Sequence, residues 1–410
     1  MEISNGPTLV LLPSAARLGS AARISGGEPC ILGLSLIERA ALAARRAGYG
    51  QVFLLARDRA APSGVTALAD WNEIVSLSSP AAALVIAPAS IVAEPGWLMR
   101  LAAMRVAPVA WAAIPGRVAV LADAAVPDAL SLLQADGGAL DMTAVQQRLR
   151  RRFGPAAEMP AAINPLIVAG PEDIPAAERH LLGALVKDTD GFMARHVDRR
   201  ISLQISRRLA PTAITPTQVT IISMVIGLLG ASFFLSAHWS WQTAGALLFL
   251  LHSIVDGCDG ELARLKFQES KLGGLLDFWG DNIVHVAIFA CLALGWAWST
   301  DATWPLSLGA AAIIGTLGSA GLVYWKQLRP KGGDGPLFSS VSGVRDDRLS
   351  RMLDATSRRD FVYGVPILAI FGKSNWLLLL ASVGAPIFFF LLVILALRER
   401  TQSKTVTPAT

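Results

Sequence analysis

Four aspartates stand close together in the string DGCDGELARLKFQESKLGGLLDFWGD, which covers residues 256–281. Asp256 and Asp259 are three residues apart and Asp277 and Asp281 are four apart, so each pair lies on one face of a helix. A turn between the two helices would bring the carboxylates together. Carboxylate oxygens, with no His in the string, favour Mg²⁺ or Mn²⁺ over zinc. We therefore predict a divalent-cation site, and four negative charges favour two ions over one.

Small residues and one arginine stand among these acids. Four glycines leave room beside the carboxylates: Gly257, Gly260, Gly273 and Gly274. Close packing of membrane helices is the alternative explanation, because small residues are common there. Arg264 could neutralise the acids, but next to bound cations and a cavity floored by glycine we expect it to contact a diphosphate.

The elements that must position these residues are apolar. The chain is 53% hydrophobic and 16% charged, with a mean hydropathy of +0.49, which excludes a disordered chain and argues against a wholly soluble one. An ionised Asp inside a membrane helix costs at least ~2.5–3.5 kcal/mol, so the acids need cations there. Six segments approach the length that crosses a bilayer: 217–237, 243–264, 273–297, 304–325, 361–372 and 375–397. The fifth is short, and an earlier start in the amphipathic stretch before it is the alternative.

Basic residues alternate with these segments. The connections 238–242 and 299–304 contain no Lys or Arg, whereas the connections between them and the tail are basic, with Lys373 as the one exception. The positive-inside rule then predicts a multi-pass protein of the inner (cytoplasmic) membrane with both termini in the cytoplasm. Because this placement accounts for the net charge of +5, we expect no nucleic-acid partner.

The first 180 residues have a different pattern. Short apolar runs at 9–13, 51–56, 83–87 and 118–122 predict buried strands, and LSLIERAALAARRAGYG between the first two predicts a helix. This alternation predicts a Rossmann-like α/β domain with a mostly parallel sheet. The start of the chain lacks the pattern of a signal peptide, so we expect this domain in the cytoplasm.

A basic amphipathic stretch, 181–212, separates the two halves. It predicts either a solvated linker helix or, in our preferred interpretation, a helix that lies on the anionic inner leaflet. The predicted organisation is thus a multidomain protein with an α/β domain (1–180), this juxtamembrane helix, an all-α transmembrane domain of six helices (213–398) and a cytoplasmic tail (399–410).

The aspartate string resembles the signature of the CDP-alcohol phosphotransferases, D-x-x-D-G-x-x-A-R-x₈-G-x₃-D-x₃-D, and matches all eight fixed positions. The resemblance covers about 195–398 and includes TPTQVT at 215–220, where Thr217 replaces the family's usual Asn. It implies six transmembrane helices, a homodimer in a lipid membrane, and transfer of a substituted phosphate from a CDP-alcohol to an acceptor hydroxyl with release of CMP. CDP-diacylglycerol and CDP-inositol are the candidate donors, and inositol phosphate is a candidate acceptor.

The resemblance also suggests roles for individual residues. Mg²⁺ or Mn²⁺ would be bound by Asp256, Asp259 and Asp277, and Asp281 is the candidate general base and a further metal ligand. The predicted CDP-binding residues are Thr215, Gln218, Gly260, Ala263, Arg264 and Gly273. The predicted acceptor-binding residues are Arg358, Arg359, Arg329 and Lys331, for which simple anchoring at the cytoplasmic face is the alternative.

Residues 8–122 resemble the soluble part of bifunctional inositol-phosphate cytidylyltransferase/transferases. The chemistry of a nucleotidyltransferase needs a glycine-rich phosphate turn, a Lys and a metal-binding Asp. Here the first turn, PSAARLGSAARISGG, lacks GxGTR, Glu28 stands where Lys is expected, and Ala89 and Ser90 stand where Asp should fall. We therefore predict a catalytically inactive nucleotidyltransferase-like domain.

An ion-coupled transporter is the alternative function, because buried acids can also form a proton or cation path. The clustering of the acids at one membrane face argues against it, and no second repeat carries a matching interruption.

Overall fold

A computed structural model gives the structure of the chain. It describes residues 6–13, 24–25, 28–56, 61–71, 73–74, 83–104, 111–122, 125–134, 141–159, 165–186, 193–328 and 362–405. These residues form two compact units, Met1–Gly183 and Ala184–Thr410.

The first unit is built on strands. In chain order they are β1 (Thr8–Leu12), β2 (Ile24–Ser25), β3 (Glu28–Ile31), β4 (Leu34–Ser35), β5 (Gln51–Leu55), β6 (Thr66–Leu68), β7 (Leu84–Pro88), β8 (Trp111–Ile114), β9 (Val118–Leu121) and β10 (Ala157–Glu158). Seven of them form one sheet in the order β10-β8-β9-β7-β1-β5-β6. At its centre, Val10 pairs with Phe53 of β5 and Ile86 of β7, both in parallel. Within this sheet only β9 runs antiparallel to its neighbours β7 and β8, so the prediction of a mostly parallel sheet is confirmed for these seven strands. Strands β2, β3 and β4 form a second, antiparallel sheet.

Helices complete the α/β unit: α1 (Leu36–Arg46), α2 (Pro95–Ala103), α3 (Val126–Gln134), α4 (Met142–Phe153) and α5 (Ile174–Gly183). The predicted helix after β4 begins at Leu36 because Ser35 and Glu38 form a capping box, in which each side chain accepts a hydrogen bond from the other's backbone N–H, at 3.2 and 2.9 Å. It ends before Gly48, whose φ of +84° suits a residue without a side chain.

The second unit is helical. Its elements are a π-helical turn (Ala194–Asp198), α6 (Arg199–Leu209), α7 (Pro216–Phe233), α8 (Trp239–Lys266), α9 (Lys271–Thr300), α10 (Trp304–Val323, continued by a π-helical turn to Leu328), α11 (Gly364–Ile370) and α12 (Asn375–Thr405). Helix α7 packs against α8 and α9, α10 packs against α9 and α12, and α6 lies along α8.

Four of the described helices are long and apolar enough to cross a membrane: Pro216–Phe233, Lys271–Thr300, Trp304–Lys326 and Asn375–Leu397. They correspond to the first, third, fourth and sixth predicted segments. The second segment forms α8, which is 28 residues long and contains the buried acids. The fifth predicted segment, 361–372, contains α11 (Gly364–Ile370). Residues 329–361 lie outside the described part of the chain, so this span stays a prediction.

Candidate metal centre

Three of the four predicted aspartates come together between α8 and α9. One carboxylate oxygen from each of Asp256, Asp259 and Asp277 lies within 4.8 Å of the other two. Asp256 is 2% exposed and Asp259 7% exposed, and Asp277 is partly buried. Buried carboxylates at this separation repel one another unless a cation is shared. The donor set is made of hard oxygens from two helices and therefore fits Mg²⁺ or Mn²⁺.

A short connection places the two helices for this contact. Helix α8 ends where Phe267 adopts the left-handed conformation, with φ +56°. The backbone N–H of Gln268 then donates to the Ala263 carbonyl at 2.8 Å. Ser270 caps α9 by accepting from the Gly273 N–H at 3.0 Å. Four residues therefore separate Lys266, the last residue of α8, from Lys271, the first residue of α9.

Asp259 is held by two neighbours. The Thr220 hydroxyl of α7 donates to Asp259 Oδ2 at 2.5 Å, and the Gly260 N–H donates to Asp259 Oδ1. Hydrogen bonds of this kind orient a ligating carboxylate and tune its affinity for a metal. Thr220 belongs to the TPTQVT segment, but its contact with Asp259 could not be predicted from the sequence, because the two residues are 39 positions apart.

Asp281 is not part of this three-carboxylate group. It lies one helical turn beyond Asp277 on α9, and its Oδ1 is 3.4 Å from Nε2 of His252. The His252 side chain is buried, with Nδ1 2.8 Å from the Ser223 carbonyl oxygen. Sequence reasoning missed His252, although its position four residues before Asp256 was the available signal for a shared helix face.

Two of the glycines beside the acids, Gly257 and Gly260, do not serve close helix packing. A Cβ at Gly257 would lie 3.9 Å from Nη1 of Arg199, and one at Gly260 would lie 3.6 Å from Nη1 of Arg264, both ordinary contacts with flexible side chains. At Gly273 the nearest atom is the Ser270 hydroxyl oxygen at 2.9 Å, which belongs to the helix cap. The open face at Gly257 and Gly260 is consistent with room for a ligand.

The remaining predicted site residues have local roles or lie elsewhere. Thr215 and Gln218 form the capping box of α7, with the Thr215 N–H donating to Gln218 Oε1 at 2.9 Å. Ala263 is buried on α8, one turn after Asp259. Gly274 is in the first turn of α9, where its N–H donates to the Ser270 carbonyl at 3.0 Å. The four predicted acceptor-binding residues lie outside the described residues: Arg329, Lys331, Arg358 and Arg359.

Comparison with known proteins agrees with this site. Residues 213–331 match the family model of the CDP-alcohol phosphatidyltransferases. This part of the chain is similar to the domain that defines the CDP-alcohol phosphatidyltransferase family. The match includes every aspartate of the site, so the resemblance suggested by the signature is confirmed for these residues.

Three relatives illustrate the similarity. A bifunctional IPC transferase and DIPP synthase of Thermococcus kodakarensis is 36% identical over 187 residues, which are 44% of this chain and 40% of that protein. An archaetidylinositol phosphate synthase of Pyrococcus horikoshii is 33% identical over 26% of this chain and 55% of its own length. A solved structure of phosphatidylinositol phosphate synthase from Mycobacterium tuberculosis with CDP-DAG bound aligns with 46% of this chain and 90% of that one, at 22% identity and a TM-score of 0.33. The chain thus spans about two fifths of the length of the bifunctional relative.

Proposed function

We propose that this protein is a membrane-integrated, divalent-metal-dependent transferase that moves a substituted phosphate from a CDP-alcohol to an acceptor alcohol and releases CMP. The observation that carries the proposal is the convergence of Asp256, Asp259 and Asp277 within 4.8 Å inside the matched domain, 213–331. Phosphoryl transfer needs little covalent chemistry from a protein, and positioning and charge stabilisation supply most of the catalysis. A cluster of buried hard ligands next to an open glycine face meets that need.

Asp256, Asp259 and Asp277 would hold the cations, with Asp281 as a further ligand or neighbour. The cations held by these residues would supply positive charge for the diphosphate of the substrate and for the negative charge that develops on departing CMP. Thr220 keeps Asp259 turned toward the group through the 2.5 Å hydrogen bond. Arg264 would contact a phosphate oxygen, and the position of its Nη1 beside Gly260 supports this.

The transfer itself is a displacement at phosphorus. The acceptor oxygen forms a bond to the phosphorus that carries the alcohol, the bond from that phosphorus to the bridging oxygen breaks, and CMP leaves with the bridging oxygen. Asp281 accepts the proton of the acceptor hydroxyl. His252, 3.4 Å from its Oδ1, limits the orientations that the Asp281 carboxylate can adopt.

The acceptor that we propose is inositol phosphate, and the donor is CDP-diacylglycerol or another CDP-alcohol. The names of the Pyrococcus horikoshii relative and of a phosphatidylinositol phosphate synthase of Mycobacterium bovis, 29% identical over 195 residues, support an inositol phosphate. A phosphorylated acceptor carries negative charge, and the basic residues predicted for it are Arg329, Lys331, Arg358 and Arg359.

The setting that we propose is a homodimer in the inner membrane with both termini in the cytoplasm. The predicted N-terminal domain, 1–180, is a nucleotidyltransferase-like domain without transferase activity of its own. The positions after β7 support this, since Ala89 and Ser90 are buried and carry no carboxylate. A test is to incubate the protein with CTP, Mg²⁺ and sugar phosphates: release of pyrophosphate would contradict this assignment.

The experiment that tests the main proposal measures CMP. Purified protein in detergent is incubated with CDP-diacylglycerol or CDP-inositol, inositol phosphate and Mg²⁺ or Mn²⁺, and CMP release should require both substrates and the metal. Asp281→Asn should abolish release without changing the elution volume. Asp301→Asn is the matched control, because Asp301 ends α9 away from the acids. A wild-type protein that releases no CMP but conducts cations across liposomes in an Asp256-dependent way would favour the transporter.

A further inference from the structure

A third buried carboxylate lies on α8 next to the metal-binding aspartates Asp256 and Asp259. Glu261 has a fully buried side chain, and its oxygens accept hydrogen bonds from three groups. Arg199 Nη1 and Ser202 Oγ both donate to Oε1 at 2.7 Å, and Ser206 Oγ donates to Oε2 at 2.7 Å. All three donors belong to α6, the juxtamembrane helix. We refer to these four residues as the Glu261 clamp.

The clamp is an unusual way to attach an amphipathic helix. The side of α6 that faces α8 carries the two buried serines, while Ile201 is 43% exposed. The outward side is basic, with exposed Arg200, Arg207 and Arg208, and Arg195 in the preceding π-helical turn is also exposed. A carboxylate without partners is costly to bury, but one guanidinium and two hydroxyls satisfy this one. Polar contacts therefore attach α6 to α8, and they fix the position of α6 along α8.

A second contact fixes the other end of the segment. Lys266 Nζ, at the end of α8, donates to the carbonyl oxygens of Thr212 and Ile214 at 2.6 and 2.8 Å. These two residues connect α6 to the capped start of α7. Helix α8 thus holds this juxtamembrane segment at both ends, and the same helix carries two of the metal-binding aspartates.

The clamp also brings a cation to the edge of the site. Arg199 Nη1, which donates to Glu261, lies 3.9 Å from the position that a Cβ of Gly257 would occupy. Gly257 directly follows Asp256 and belongs to the open face assigned above to the ligand. The Arg199 side chain therefore borders that face, and its hydrogen bond to Glu261 fixes its position.

We infer that Glu261 is a positioning residue, which holds α6 against α8 and keeps Arg199 in place as one wall of the CDP-alcohol site. The second half of this inference rests on the proposed function. Residue 261 is one of the variable positions in the signature, so the motif assigns it no role. Its loss should weaken substrate binding more than turnover, because it touches none of the reacting groups.

The test combines a structural and a kinetic measurement on the full-length protein in detergent. The variants are Glu261→Gln, which removes the charge, and Ser202→Ala/Ser206→Ala, which removes two donors and leaves Glu261 intact. Gln204→Ala is the matched control, because Gln204 is exposed on the same helix. Hydrogen–deuterium exchange of α6 amides should be at least tenfold faster in both test variants, and unchanged in the control and in α10.

The kinetic measurement separates positioning from general destabilisation. The KM for the CDP-alcohol should rise about fivefold in the test variants, equivalent to about 1 kcal/mol, with kcat within twofold of the wild type. A smaller folded fraction would instead lower the apparent kcat and leave KM unchanged. Faster exchange with unchanged KM would overturn the role of the clamp in the site, and unchanged exchange would overturn the clamp itself. If the wild type releases no CMP, the proposed function fails, and the exchange measurement still decides whether Glu261 holds α6.

Discussion

The two ends of α8 both contain glycine, and they use it differently. Near the start of the helix, a Cβ at Gly245 would lie 2.7 Å from the Gly230 carbonyl oxygen and 3.0 Å from Cβ of Phe233, so the missing side chain allows α7 to approach. Near its end, Gly257 and Gly260 face only the ends of arginine side chains, at 3.9 and 3.6 Å. One end of the helix is therefore a packing surface and the other leaves space.

The distribution of buried charge follows the same division. Among the described residues, the buried acids are Asp256, Asp259 and Glu261, all in the second half of α8. The first half buries Gln242, Ala246 and Phe249 instead. Burial of charge is costly and persists where a partner or a ligand compensates it. The second half of α8 combines buried carboxylates with glycines that leave room for a ligand, as a binding site does. The first half packs closely against α7 and buries no acidic side chain.

The largest expected effect is at the packing end. Gly245→Ala places a methyl group against backbone atoms that have no rotamer to change, which should cost about 2 kcal/mol or more. The loss should lower the midpoint of thermal unfolding by about 4–8 °C, measured by size-exclusion chromatography after heating in detergent. Gly321→Ala is the control, since no atom lies within 4 Å of the added Cβ position. An unchanged midpoint for Gly245→Ala would refute the packing role.

The next effect concerns the support of the acids. Thr220→Val keeps the shape of the side chain but removes the donor to Asp259. Loss of such a hydrogen bond typically weakens metal binding by about 10–100-fold, so the Mn²⁺ concentration for half-maximal activity should rise by that order. Thr243→Val is the matched control, since the Thr243 hydroxyl donates to the Trp239 carbonyl at the packing end of α8. Equal metal dependence in the two variants would contradict the role of Thr220.

The smallest effect should appear at the open face. Gly260→Ala adds a methyl group at an ordinary distance from Arg264, 3.6 Å, so the fold should be retained. If the CDP-alcohol approaches the helix backbone there, its KM should rise about tenfold, which corresponds to about 1.4 kcal/mol. Steady-state kinetics at saturating acceptor measure this. If the Gly260→Ala enzyme has the wild-type KM but a lower unfolding midpoint, Gly260 serves packing. The two ends of α8 would then not differ in their use of glycine.

Much of this arrangement follows from the sequence. The apolar runs predict the four strands β1, β5, β7 and β9, because continuous hydrophobic segments are typical of buried strands. The spacings within the pairs Asp256/Asp259 and Asp277/Asp281 place each pair on one helix face. Because both pairs lie within residues 256–281, the connection between their helices has to be short. The antiparallel direction of β9 has no signature in a single run and depends on its neighbours in space.

The rest of the site depends on contacts between distant residues. Thr220 meets Asp259 across 39 positions and Ser206 meets Glu261 across 55, and neither spacing has a local period. The pairing of Thr215 with Gln218 does have a signal, since Thr-x-x-Gln before an apolar run is the pattern of a capping box. The fifth predicted span stays a prediction, because residues 329–361 lie outside the described part of the chain and a short apolar run fits a short helix as well as a membrane span.

Binding of Mn²⁺ tests the central claim most directly. Mn²⁺ is titrated into the purified protein, with and without saturating CDP-alcohol, and free ion is followed by electron paramagnetic resonance. The account predicts saturable binding of about two ions, as in two-metal sites, which Asp256→Asn/Asp277→Asn loses and Asp301→Asn retains. A wild-type protein that binds no more Mn²⁺ than the double variant, even with the CDP-alcohol present, would contradict it.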